Sequence, residues 1–87
     1  MEDAALLKAP ARLAKRLLSL GRLHGEPSGK GFTLRISQED LASFLGVSRQ
    51  VVNQYLQGWK GRGWVQLGRG VVAVRDEVAI RNAAQEN

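Results

Sequence analysis

Between Ser37 and Gln57 the chain reads SQEDLASFLGVSRQVVNQYLQ, and its apolar positions recur at helical spacing twice, with a break at Gly46, Val47 and Ser48. Leu41, Phe44 and Leu45 define the inward face of a first helix; Val51, Val52, Tyr55, Leu56 and Trp59 define that of a second. Each run opens on a cap. Ser37 offers an N-cap oxygen, Asp40 stands where the second half of a capping box belongs, and Ile36 and Leu41 are spaced as a hydrophobic staple. Ser48 caps the second helix, stapled by Val47 and Val52, and Gly46 suits the left-handed residue that ends the first. Two capped helices joined by so short a turn must cross steeply, which is the helix-turn-helix arrangement. Ala42 is small enough for a close crossing, and Val52 is a β-branched residue turned back into the pair.

The flanking patterns supply the rest of a domain. Pro10 fits the first turn of a helix running from Ala11 to about Leu23, with Leu13, Leu17, Leu18 and Leu20 on one side and Arg12, Lys15, Arg16 and Arg22 largely elsewhere. Gly25, Pro27, Ser28, Gly29 and Gly31 read as a loop, with His24 a solvent-exposed residue at its edge. Phe32 to Ile36 alternates as a short strand, with Phe32, Leu34 and Ile36 inward. Beyond the helix pair, Gly61 and Gly63 end the second helix, and two β-rich runs, Trp64 to Leu67 and Val71 to Val74, flank Gly68-Arg69-Gly70 as a hairpin. Asp76 can cap a last helix from Glu77 to about Gln85, with Val78 and Ile80 docking on the core. The predicted fold is mainly α with a small antiparallel β-hairpin: a winged helix-turn-helix, a three-helix core plus a wing, over residues 10–87. Its core is expected to rest on Leu17, Leu20, Leu41, Leu45, Val52, Leu56, Trp59 and Trp64, and residues 1–9 form an N-terminal extension.

Composition narrows the chemistry. Eighty-seven residues make one domain, and the absence of cysteine removes disulfides and thiolate metal sites, in keeping with a reducing, cytoplasmic compartment. The single His24 cannot hold a metal alone, and no cofactor is expected. No apolar run approaches the ~20 residues of a bilayer span. Enzyme chemistry has no candidates: Glu39 and Asp40 are explained by capping and the helix dipole, and the glycines near Gly61 follow a helix and precede a strand, the reverse of a nucleotide-binding fingerprint. A net charge of +5, from 13 Lys and Arg against 8 Asp and Glu, suits a polyanionic partner.

The polar face of the second helix gives that charge a place to act. Arg49, Gln50, Asn53 and Gln54 all carry groups that hydrogen-bond base edges, and Arg69 at a glycine hairpin tip suits a phosphate contact. The alternative is a winged-helix protein-interaction module, which calls for an acidic or apolar face where these four polar residues stand. RNA recognition calls for an exposed aromatic platform, whereas both tryptophans are expected inside.

The segments ARLAKRLLSL, LRISQEDLASFLGVSRQVVNQYL and GWVQLGRGVVAV, with Asp76 after them, resemble the C-terminal DNA-binding domain of the Crp/Fnr family of bacterial transcription regulators. ISQEDLA followed by LGVSRQVV is the most specific part, and the resemblance runs over almost the whole chain from Pro10. It implies a homodimer reading a pseudo-palindrome in double-stranded DNA, one recognition helix (about 48–60) per major groove and the hairpin 64–74 as wing. It implies base contacts at Arg49, Gln50 and Gln54, with Asn53 beside them, and backbone contacts at Ser48 and Val51. Ser37 at the first cap and Arg69 on the wing are expected to join the backbone contacts. RNA polymerase is a further implied partner, and no membrane is. Well-known members commonly carry Glu at the position of Gln50 and Arg at that of Gln54; glutamine pairs with adenine where a carboxylate prefers cytosine, so a different operator is expected. The family's sensor domain and dimerisation helix have no counterpart here, so effector response is expected outside these residues and a monomer or weak dimer within them. Residues 1–9 read equally as the stub of that helix or as the start of a complete small protein.

Overall fold

A computed structural model describes residues 9–85. The elements run α1 (Ala9–His24), β1 (Glu26–Ser28), β2 (Gly31–Leu34), α2 (Gln38–Leu45), α3 (Arg49–Gly61), β3 (Val65–Gly68), β4 (Val71–Val74) and α4 (Glu77–Gln85). The extension expected over 1–9 lies outside the described residues except for Ala9, which opens α1.

All three N-cap expectations hold, with Asp76 Oδ1 accepting from the Ala79 N–H at 3.1 Å at the start of α4. The Ser37 hydroxyl accepts from the Asp40 N–H at 3.0 Å and the Ser48 hydroxyl from the Val51 N–H at 3.1 Å. Only this half of the capping box forms at α2, because an aspartate is one methylene shorter than the glutamate that usually reaches back. Gly46 has φ 71° and ψ 30°, and its N–H returns to the Ala42 carbonyl at 2.8 Å. An L side chain at that φ costs roughly 1 kcal/mol, so glycine sets the sharp corner between α2 and α3.

The strands form one antiparallel sheet in the order β1-β2-β4-β3. Register builds two inward rows: Leu34, Val72 and Leu67 in one, Phe32, Val74 and Val65 in the other. The predicted single strand of Phe32 to Ile36 is thus one arm of a second hairpin. Its partner β1 falls where a loop was expected, with Pro27 opposite Phe32 on the sheet edge, where a missing N–H costs no ladder bond. The wing strand begins at Val65 because the Trp64 N–H turns back to the Trp59 carbonyl at 3.0 Å, although the Trp64 carbonyl still takes the N–H of Arg75 opposite it at 2.8 Å.

Helices α1 and α4 lie against each other, and with α2, α3 and the sheet they enclose Leu13, Leu17, Leu41, Val52, Leu56, Val72, Val74 and Ile80, each at 1% exposure or less. Of the expected core, Leu17, Leu41, Leu45, Val52, Leu56 and Trp59 are buried, while Leu20 and Trp64 are half-buried. Gly21 takes the inward slot beside Leu20: a Cβ there would overlap the Phe32 ring, so the ring lies directly on the α1 backbone. Phe44 departs from expectation at 52% exposure, because Leu41, Ala42 and Leu45 already fill the inward face of α2. The Arg16 guanidinium stacks over its ring, 5.4 Å from the centroid. Val78 is likewise exposed, and Ile80, Ala83 and Ala84 anchor α4 in its place.

Candidate nucleic-acid interface

Helix α3 is divided lengthwise between an apolar and a polar side. Val52, Leu56 and Trp59 are buried; Arg49, Gln50 and Gln54 are exposed. With Ser48 as cap and no acidic residue in the first turn, the N-terminus of α3 adds the positive end of its dipole to the Arg49 charge. A phosphate or an electronegative base edge is the natural complement of that arrangement.

The predicted residues do not all share one surface. Arg49, Gln50 and Asn53 line a single open recess, and Gln54 is exposed one position further on. Asn53 is half-buried, and its Nδ2 donates to Gln38 Oε1 at 3.0 Å across the helix pair. The Val51 side chain turns the other way, into an apolar seam with Ala9, Leu13, Leu45, Val47 and Tyr55, and its N–H is already taken by Ser48. Ser37 is half-buried and Ser48 exposed; each hydroxyl accepts a backbone bond and keeps its own proton to donate. Arg69 is exposed at the wing tip, between Gly68 and Gly70, the latter with φ 68°.

Two supports were invisible in the sequence. Arg12 Nη2 donates to the Leu45 carbonyl at 2.5 Å, placing a cation at the negative end of α2 just before the turn. At the far end of α3, Trp59 and Trp64 pack with centroids 6.5 Å apart, and the Arg62 guanidinium stacks on Trp64 at 5.1 Å. The Trp64 N–H donates to the Trp59 carbonyl while its own carbonyl receives Arg75 and Asp76, so one residue ties the end of α3 to the exit of the wing. Among the described residues the ion pair is Arg81–Glu77 on α4, and no carboxylate holds Arg49 or Arg69. Gln38, the partner of Asn53, was missed; its signal is an amide in the first turn of α2, fifteen residues ahead of a second amide on α3.

Helix pair, exposed donor face and wing together define a winged helix-turn-helix domain. Residues 11–83 match the Crp-like helix-turn-helix domain model. The chain is 34% identical over 86 residues to a CRP-like cAMP-activated global transcriptional regulator of Mycobacterium tuberculosis, covering 95% of this chain and 38% of the regulator. Among solved structures it is similar to the catabolite activator protein of Thermus thermophilus, with TM-score 0.73 and 32% identity over 88% of this chain and 34% of that one. A transcriptional regulator of the CRP/FNR family, also from Thermus thermophilus, shares the fold at TM-score 0.81 and 20% identity, over 88% of this chain and 40% of that one. The chain belongs to the Crp-like helix-turn-helix family, and it spans about two fifths of the length of the regulators it matches.

Proposed function

We propose that this chain is the sequence-specific, double-stranded-DNA-binding output domain of a bacterial Crp/Fnr-type transcription regulator acting in the cytoplasm. The observation that carries the reading is the N-terminal half of α3, a polar, carboxylate-free face centred on Arg49 and Gln50 and standing on a buried apolar one. In this reading α3 enters the major groove with Arg49, Gln50 and Gln54 at base edges and Asn53 beside them. Ser37, Ser48 and Arg69 contact the phosphate backbone; at Val51, whose side chain faces the protein and whose N–H is held by Ser48, the contact passes to the N–H groups of Arg49 and Gln50 in the same turn. Base readout by glutamines favours adenine-containing half-sites.

The whole regulator would act as a homodimer on a pseudo-palindrome and engage RNA polymerase, with effector sensing in a separate part of the protein. The chain alone would bind as a monomer or weak dimer. The mycobacterial relative supports this reading, being a transcriptional regulator whose match takes in nearly the whole of this chain. The test is selection of bound duplexes from a random pool, followed by anisotropy titration at two salt concentrations. The expected result is salt-dependent binding that enriches one half-site motif; a folded chain that binds no duplex at low salt would overturn the proposal. A protein-interaction role would then be the remaining use of the fold.

A further inference from the structure

We infer that Gln38, which stands on α2 outside the recognition helix, is a positioning residue for base selection, through the amide of Asn53. The inference rests on the DNA-binding reading and deepens it. Gln38 Oε1 accepts from Asn53 Nδ2 at 3.0 Å, in a half-buried bond that spans the crossing of the two helices. Both ends of the tether are fixed. Gln38 follows the Ser37 cap directly, so its backbone is held by the Ser37–Asp40 bond, and Asn53 follows Val52, which is buried against α2.

The chemical consequence concerns which edge of Asn53 faces outward. An asparagine amide carries two donors and one acceptor oxygen, and its last torsion is soft and roughly two-fold. Left alone, it turns either edge to a base and discriminates weakly. With Nδ2 drawn toward α2, Oδ1 lies on the side of Cγ away from Gln38, and Asn53 lines one recess with Arg49 and Gln50. A fixed acceptor there matches a base that presents an amino group in the major groove, adenine or cytosine, and opposes the major-groove carbonyl of guanine or thymine. Gln38 thereby selects a base without touching it. A purely structural role fits less well: Leu41, Ala42 and Val52 already pack the two helices together, and a half-exposed amide bond adds little to that contact.

The experiment is duplex selection and retitration with the full 87-residue chain as wild type, Gln38→Ala, Gln38→Glu, Asn53→Ala and the Gln38→Ala/Asn53→Ala double variant. Gln38→Ala should flatten the preference at one base step by roughly fivefold or more, the step that Asn53→Ala also flattens, while leaving the others intact. Gln38→Glu still accepts from Nδ2, so it should keep that preference while weakening every duplex through repulsion of phosphate. In the Asn53→Ala background Gln38→Ala should change nothing at that step. In the free protein, the Asn53 side-chain amide resonances should move in Gln38→Ala and stay near wild type in Gln38→Glu. Equal weakening of all sequences by Gln38→Ala, additive with Asn53→Ala, would make Gln38 a phosphate contact and overturn the inference; so would loss of the preference in Gln38→Glu, which also decides the matter if Gln38→Ala does not fold. Absence of any duplex binding by wild type would overturn the DNA reading itself, and the amide resonances keep that failure separate from failure of the tether.

Discussion

The two sides of α3 are built for different tasks, and the contrast explains how a small domain can change what it reads without losing its fold. Val52, Leu56 and Trp59 face inward with exposures of 1%, 0% and 7%, so their energy is spent entirely on the core. Arg49, Gln50 and Gln54 stand in solvent and are available to a partner. Between the sides lie residues that serve both: Ser48, which caps the helix and stands on the exposed surface, and Asn53, half-buried and tied to α2. A helix divided this way separates stability from specificity by about half a turn.

Substitutions should respect that division. Leu56→Ala deletes a fully enclosed side chain at the centre of the core and is expected to cost about 2–5 kcal/mol in urea unfolding. In a domain this small such a loss leaves little folded protein, and binding should fail with it. Arg49→Ala should do the reverse: about 1–3 kcal/mol lost from specific binding, with selectivity relaxed at one base step and unfolding stability unchanged within about 0.5 kcal/mol. Uniform weakening on every sequence would reassign Arg49 to the phosphate backbone. Ser48→Ala tests the boundary, since it should lower both thermal stability and affinity, the former by about 1 kcal/mol. A loss of affinity alone would mean that the cap is dispensable and the hydroxyl acts only on DNA. The smallest effect is expected at the wing, where Arg69→Ala should reduce the slope of log affinity against log salt by about 1 and leave base preferences as they were.

Much of this architecture is legible in the sequence because it is local. The caps at Ser37 and Ser48, the corner at Gly46 and the turn at Arg69 each depend on residues within a few positions, and each stands where the pattern puts it. What escapes depends on partners distant in sequence. Glu26-Pro27-Ser28 carries no alternation of its own and becomes a strand only because β2 offers it an edge. Phe44 has the right period for the core yet lies outside it, since the crossing angle of the helices decides which flank of α2 is covered. Helical spacing groups the four polar residues of α3 on one surface and puts Val51 on the apolar one, but the Gln38–Asn53 bond comes from how α2 lies over that helix. Spacing locates a face; it does not say which of its members are already occupied.

The pairing of β2 with β4 has a consequence for how the domain assembles. Leu34 meets Val72, so everything from Arg35 to Val71, the helix pair and the outer wing strand included, is a single loop closed by that ladder. Closing so long a loop is entropically unfavourable until the intervening helices are compact. The reading helix and the outer wing strand therefore lie within the same closed loop, and opening of the β2–β4 ladder is expected to release both together.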